Sequence, residues 1–97
     1  QLYNQTSGDL YKIGAAQILT DDGNPLGFRS TKFKASNEVK DEWNKMEIRV
    51  SDGQSEIKVN GEVQNRALSK EARPSKIVLR NEGTGKVEFR NLLLKKL

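Results

Sequence analysis

Two consecutive tight-turn signals constrain this sequence more than any other feature. Residues 43–50 alternate apolar and polar side chains with a period of two, which is typical of a strand with one buried face. Ser51-Asp52-Gly53-Gln54 follows as a turn, and Asn60-Gly61 separates the next two alternating runs. Asn and Gly adopt the positive φ of a type I′ hairpin turn at little cost. The sequence therefore predicts a meander of two hairpins from about residue 44 to residue 65.

Other short segments extend this β pattern along the chain. After the meander we expect a polar connection over 66–74, with one helical turn near Ser69–Ala72, and strands over Lys76–Arg80 and Lys86–Leu94. Leucines on both faces of the last strand indicate that it is covered on both sides. The strand candidates nearer the N-terminus are Leu10–Ile13, Gln17–Leu19 and Phe28–Lys34. This spacing predicts an all-β fold, an antiparallel β-sandwich, in which residues 1–97 are a single domain or its C-terminal portion.

Missing residue types exclude several chemistries. The 97 residues contain no His and no Cys, so a Ser-His-Asp triad, a thiol nucleophile, a Cys/His zinc site and a disulfide are excluded. The longest apolar run, Leu92–Leu94, is far too short to cross a bilayer. Asp21–Asn24 clusters oxygen ligands but lacks the ligand spacing of an EF-hand, so an Asx-rich turn explains it better. We expect no metal, no cofactor and no membrane span.

Positive charge is concentrated in the C-terminal third. Residues 1–64 carry 8 basic and 10 acidic side chains, whereas residues 65–97 carry 9 basic and 3 acidic ones, a net charge of +6. Most of these basic residues alternate with apolar ones, as on the solvated face of strands. Nucleic-acid binding favours aromatic side chains among the basic ones, and this region has only Phe89. We therefore expect no nucleic-acid partner, and an acidic protein partner is a weaker alternative.

A series of short motifs over residues 41–97 resembles a known family. These motifs are Asp41-Glu42-Trp43-Asn44, Ile48, Asn60-Gly61, Ile77-Val78-Leu79 and Gly85-Lys86-Val87-Glu88-Phe89-Arg90-Asn91-Leu92. In this order and spacing they are similar to the C-terminal half of the 3-keto-disaccharide hydrolase domain family. The resemblance implies a concanavalin A-like jelly roll whose concave sheet binds carbohydrate. It also implies a bacterial, secreted protein of the periplasm, cell surface or extracellular space.

The resemblance also indicates where a carbohydrate would bind. Tyr11 and Gln17 lie in a segment similar to the sugar-facing strand of the family. Trp43 can stack on a pyranose ring, and Arg80 can bind hydroxyl groups or developing negative charge. Glu82 is a weak candidate for a general acid or base. Each residue type also has a structural interpretation, since a Trp at the start of a strand often packs in the core and charged residues on strands and turns are often solvated.

Two classes of function stay open at the level of sequence. The first is an enzyme, a hydrolase or lyase acting on glycosidic bonds of 3-keto sugars. A ketone at C3 acidifies the neighbouring C–H, so a modest base can start elimination of the glycosidic oxygen. The second is a non-catalytic carbohydrate-binding or adhesion module, or a half-sandwich completed by another chain or segment. Ala15 stands where the family has an acidic residue, which favours the second class.

Overall fold

Six short strands account for the regular structure of the part of the chain that its computed structural model describes. The structure describes residues 6–11, 18–20, 29–35, 37–69, 76–81 and 83–97. Within these ranges there is no helix, and the strands are β1 (Leu10–Tyr11), β2 (Ile18–Thr20), β3 (Arg29–Ser30), β4 (Met46–Ser51), β5 (Gln54–Val59) and β6 (Glu62–Ser69). All strand pairs between them are antiparallel. The predicted all-β, antiparallel fold class is confirmed.

The strands form a two-stranded and a four-stranded sheet. β1 pairs with β3, and the larger sheet has the order β2-β6-β5-β4, so the predicted meander forms its consecutive strands β4, β5 and β6. β6 extends further than predicted, because residues 66–69 were expected to be a connection and are strand. The reason is that this end of β6 has a partner on each side: Leu68 faces Leu19 of β2 and Gln54 of β5. A strand with two partners keeps its backbone hydrogen bonds despite polar side chains.

Both predicted hairpin turns are confirmed by the backbone angles. Asp52 and Gly53 have φ values of 51° and 76°, and Asn60 and Gly61 have values of 49° and 83°. Two consecutive positive φ values are the mark of a type I′ turn, whose twist matches the twist of the flanking strands. Each turn is therefore a two-residue loop that fixes the register of the strands around it.

The buried apolar core within the described residues is small. It consists of Ile57, Val59 and Ala67. Ile48 and Val50 lie on the same face, since Ile48 is the direct partner of Ile57, but each is 62% exposed. The predicted face of β4 is thus confirmed and its predicted burial is wrong, because β4 is an edge strand of the sheet.

A β-bulge interrupts the pairing of β5 with β6. Ile57 faces Asn65 while Lys58 faces Val63, so Gln64 is the extra residue on β6. The bulge frees the carbonyl of Gln64 from the ladder, and that carbonyl accepts a hydrogen bond from the backbone N–H of Phe33 at 2.7 Å. The bulge thereby attaches the segment after β3 to the central sheet.

The predicted strands over Lys76–Arg80 and Lys86–Leu94 are wrong for the residues described there. Residues 76–81 and 83–97 belong to no strand, and their apolar side chains are exposed, with Ile77 at 78% and Leu93 at 94%. Alternating side chains indicate which face of a strand is apolar, but a strand also needs a backbone partner.

Two predicted turns fall largely outside the described part of the chain. The Asx-rich turn over Asp21–Asn24 lies entirely outside the described residues. The helical turn near Ser69–Ala72 lies outside them except for Ser69, and Ser69 is the last residue of β6. Both turns therefore stay predictions.

Gly8 lets a turn approach the bulge closely. The backbone N–H of Asp9 donates to the carbonyl of Thr6 at 3.0 Å, which closes the turn over residues 6–9. Gly8 has a φ of +104°, and a Cβ added to it would lie only 2.7 Å from the Cβ of Gln64. The position therefore needs glycine for its backbone angle and for the space beside Gln64.

We expect Gly8→Ala to destabilise the fold more than Gly61→Ala. Both glycines have a positive φ, but a Cβ added to Gly61 would meet nothing within 4 Å. The shared backbone strain costs about 1 kcal/mol, and the clash with Gln64 adds roughly 1–3 kcal/mol for Gly8→Ala alone. Urea unfolding of the two variants measures this difference. Equal losses of stability would show that the contact with Gln64 is unimportant.

Candidate functional site

The side chain of Asn44 closes the loop that presents Trp43. Its Oδ1 accepts a hydrogen bond from the backbone N–H of Val39 at 2.7 Å. Its Nδ2 donates to the carbonyls of Val39 at 2.8 Å and Glu42 at 3.0 Å. These three bonds hold the backbone of residues 39–44 in one conformation, which includes a positive φ of 60° at Asp41. Trp43 is therefore fixed at its backbone shortly before β4.

Asn60 ties this loop to the second hairpin turn. Its backbone N–H donates to the carbonyl of Lys45 at 2.8 Å, and its Oδ1 accepts from the backbone N–H of Lys45 at 2.9 Å. Its Nδ2 donates to the carbonyl of Asn37 and to Oδ1 of Asn44, each at 2.9 Å. One turn residue thus anchors both ends of the loop that carries Trp43.

Trp43 presents a half-exposed ring with a cation over it. The residue is 50% exposed, and Cζ of Arg90 lies 3.9 Å from the ring centroid. A guanidinium at this distance is attracted by the π-electrons of the ring and restricts the ring's rotation. The contact also brings the C-terminal segment to the start of β4. Trp43 nevertheless stays half-exposed to solvent.

The other predicted site residues are placed as follows. Tyr11 is half-buried in β1, opposite Arg29 of β3. Arg80 is exposed on the segment of residues 76–81. Gln17 and Glu82 lie outside the described residues. Among the five predicted site residues, Trp43 is therefore the one on which the candidate site is built, because Arg90 stacks on its ring.

Arg90 is not among the predicted site residues, because its sequence pattern favours a structural role. Its pattern resembles that of any charged residue alternating with apolar ones, and it follows Trp43 by 47 positions along the chain. No spacing rule predicts a contact over that distance. Only the folded chain brings the guanidinium onto the indole.

Charged side chains on and beside the central strands form ion pairs, and Glu56 is shared by two cations. Nε of Arg66 lies 3.0 Å from Glu56, and Nζ of Lys45 lies 2.9 Å from Glu47. Nζ of Lys58 lies 3.9 Å from the carboxylate of Glu56. Such exposed pairs contribute little to stability, and the surface that they form is polar with a net positive charge.

A second polar cluster is closed to ligands. Asp9 and Gln64 are fully buried, and Oδ1 of Asp9 accepts a hydrogen bond from the backbone N–H of Lys32 at 2.9 Å. Nε2 of Gln64 donates to Oδ1 of Asn37 at 3.2 Å, whereas its buried Oε1 has no partner among the described residues. Because neither side chain reaches solvent, we interpret this cluster as a structural support for the bulge.

Lys45 makes Glu47 a weak base. Its hydrogen bond and its charge hold the pKa of the Glu47 carboxyl below the ordinary value of 4.5, and Lys58 adds a smaller effect in the same direction. A carboxylate that releases its proton so readily is poorly suited to removing one from a substrate. The described part of the chain holds no group of three or more Asp or Glu residues that could bind a metal. Nor does it contain a helix long and apolar enough to cross a membrane.

Comparison with known protein families identifies the class to which this all-β chain belongs. Residues 1–95 match the 3-keto-alpha-glucoside-1,2-lyase-like domain. The match spans almost the whole chain, so the chain belongs to this family, which has a jelly-roll fold and a carbohydrate-related function. The family suspected from the motifs over residues 41–97 is thereby confirmed. No curated protein and no solved structure matched the chain.

We expect Asn60→Gly to destabilise the fold by about 1–3 kcal/mol, because it removes three side-chain hydrogen bonds while keeping a residue that tolerates positive φ. Asp52→Gly is the matched control, since Asp52 holds the same position in the other hairpin turn with a φ of 51°. Its effect should be about a few tenths of a kcal/mol. Urea unfolding measures both. A similar cost for the two variants would contradict the anchoring role of Asn60.

We expect Lys45→Met to raise the pKa of Glu47 towards 4.5, and Lys58→Met to raise it less, because Lys45 is the larger cause. The folded-state pKa is lowered, so the interaction stabilises the fold above the unfolded pKa and is lost as the pH falls through the folded one. Carboxyl titration by NMR gives the pKa in each variant. The opposite ranking of the two variants would contradict the assignment.

Proposed function

We propose that this chain is a carbohydrate-binding β-domain that takes a glycoside, including one oxidised to a ketone at C3, beside Trp43. The observation that carries the proposal is the half-exposed indole, fixed at its backbone by Asn44 and stacked by Arg90. Membership of a carbohydrate-related family supports the class of ligand.

The apolar C–H face of a pyranose is the natural partner of this ring. An aromatic side chain buries that face while the hydroxyl groups at the ring edge stay hydrogen-bonded. Trp43 is held before the ligand arrives, so little conformational entropy is lost on binding. Arg90 places guanidinium donors near the indole, suited to a hydroxyl or a C3 carbonyl oxygen.

Further contacts follow from the family rather than from the indole. We propose that Tyr11, Gln17 and Arg80 contribute further contacts to hydroxyl groups. The family resemblance also supports a secreted bacterial protein of the periplasm or cell surface.

Catalysis is the second candidate, with Glu82 as the proposed base. The base would remove the proton from C2, next to the C3 ketone. The electron pair of that C–H bond would form the C1=C2 double bond, and the glycosidic oxygen would leave C1 and take a proton from solvent or an acid. Glu82 lies outside the described residues, and Glu47, whose pKa is lowered by Lys45, is poorly suited to the role of base.

The exposed C-terminal segment supports a further variant of the binding hypothesis. Leu92, Leu93 and Leu94 are 67%, 94% and 86% exposed, which is unusual for three adjacent leucines. In this variant the chain is a half-sandwich, and another chain or segment covers these side chains. The carbohydrate would then bind to the assembled sandwich.

Titration with a glucoside and with the corresponding 3-keto-glucoside tests the proposal. Trp43 is the single Trp of the chain, so its fluorescence reports directly on the candidate site. We expect a saturable change in emission with unaltered ligand. Consumption of the 3-keto-glucoside would instead support the enzyme, and Glu82→Gln should then abolish turnover.

We expect Trp43→Ala to weaken binding roughly tenfold, the factor that corresponds to ~1.4 kcal/mol of lost ring contact. Arg90→Ala should weaken it several-fold, while Lys95→Ala removes the same charge from the same segment and should leave binding unchanged. Ligand-induced shifts in NMR spectra measure all three variants. Full binding by Trp43→Ala would rule out this site.

A further inference from the structure

The outer edge of β4 is an unpaired strand edge within the described residues. β4 ends the sheet order β2-β6-β5-β4, and its residues Ile48 and Val50 are each 62% exposed. An uncovered edge of six residues with an apolar face pairs readily with another strand. Natural proteins usually cover such an edge or pair it with another strand.

The hydrogen-bond pattern shows which backbone groups face outward. The N–H of Asn60 donates to the carbonyl of Lys45, so position 45 bonds towards β5. Bonding positions alternate along an antiparallel strand, and 47, 49 and 51 therefore also bond towards β5. The N–H and C=O groups of Met46, Ile48 and Val50 consequently point away from the sheet. Any added strand must pair with these three residues.

The sequence of β4 is self-complementary about Ile48. In an antiparallel pair with Ile48 opposite Ile48, Met46 of each copy is opposite Val50 of the other. The three residues of one copy whose backbone groups point outward are then opposite the same three residues of the other copy. On the opposite face, Glu47 of each copy is directly opposite Arg49 of the other, at the closely spaced positions of the ladder.

Neighbouring registers are worse. A shift that places Arg49 opposite Arg49, or Glu47 opposite Glu47, brings like charges together and removes both cross-strand pairs. A parallel pair in which each residue is opposite its own copy also brings like charges together, at both Glu47 and Arg49. A register about Met46 would place Lys45 opposite Glu47 but would leave Ile48 and Val50 without partners in β4. Among the registers that pair β4 over most of its length, charge therefore favours the one that is compatible with a two-fold axis through the pair of Ile48 residues.

We propose that β4 pairs with β4 of a second copy of this chain about Ile48. The two four-stranded sheets would become one continuous sheet of eight strands, held by backbone hydrogen bonds and by two Glu47–Arg49 pairs. The occupant is a second copy because the edge complements itself in shape, backbone bonding and charge. This inference is independent of the carbohydrate site.

A charge exchange tests the proposal. Sedimentation equilibrium of the 97-residue chain should show a dimer. Glu47→Arg or Arg49→Glu alone should weaken dimerisation by roughly tenfold or more, because each brings like charges together twice. The double exchange Glu47→Arg with Arg49→Glu should restore it. Glu62→Arg makes the same charge change away from β4 and should have no effect. Circular dichroism confirms that each variant is folded.

The double exchange also distinguishes self-pairing of β4 from the main alternative partner of this edge. The segment Val87–Arg90 carries Glu88 and Arg90 in the same order and could pair with the edge of β4 instead. That segment keeps its native charges, so the double exchange would then fail to restore association. Failure to restore it, or a wild-type monomer at every concentration, would overturn the proposal.

An engineered cysteine gives a second readout that does not depend on charge. The chain has no Cys, so Ile48→Cys should form a disulfide-linked dimer on mild oxidation, since paired residues in a ladder lie within disulfide range. Ile77→Cys is the control, because Ile77 is also highly exposed but lies outside β4. Equal cross-linking of the two variants would overturn the proposal.

Discussion

The hydrogen bonds of Asn60 organise the best-defined part of this molecule. A single turn residue bonds to the backbone of Lys45 and Asn37 and to the side chain of Asn44. It therefore fixes the β5–β6 turn and the loop before β4 at the same time. Trp43 lies in that loop, so the orientation of the candidate site depends on a residue 17 positions further along the chain.

The candidate site combines a rigid support with an accessible ring. The loop bonds of Asn44 define the backbone at Trp43, and Arg90 restricts the indole from above. This arrangement favours carbohydrate binding. Each atom of an aromatic ring contributes little to a contact, and the entropy lost in ordering a mobile side chain would easily outweigh that contribution. Catalysis would require in addition a base whose pKa suits proton removal; Glu47 is poorly suited because Lys45 lowers its pKa, and the proposed base, Glu82, lies outside the described residues.

The rest of the described structure has an unpaired strand edge and many exposed apolar side chains. The buried apolar core of the described residues is limited to Ile57, Val59 and Ala67, whereas Ile48, Val50 and the leucines near the C-terminus are exposed. Burial of apolar surface is the main favourable contribution to folding, so a sheet with so little of it gains much by association. Self-pairing through β4 and cover of the C-terminal segment are separate ways of supplying that burial.

Local sequence is enough to specify the meander, its two type I′ turns and the family. Asp52-Gly53 and Asn60-Gly61 act locally, because positive φ is cheap only for a few residue types, and period-two alternation assigns the face of each β4 residue. The remaining features needed the folded chain. Whether Ile48 is buried, whether residues 86–94 form a strand, and whether Arg90 reaches Trp43 all depend on partners distant in the chain, which local pattern does not encode.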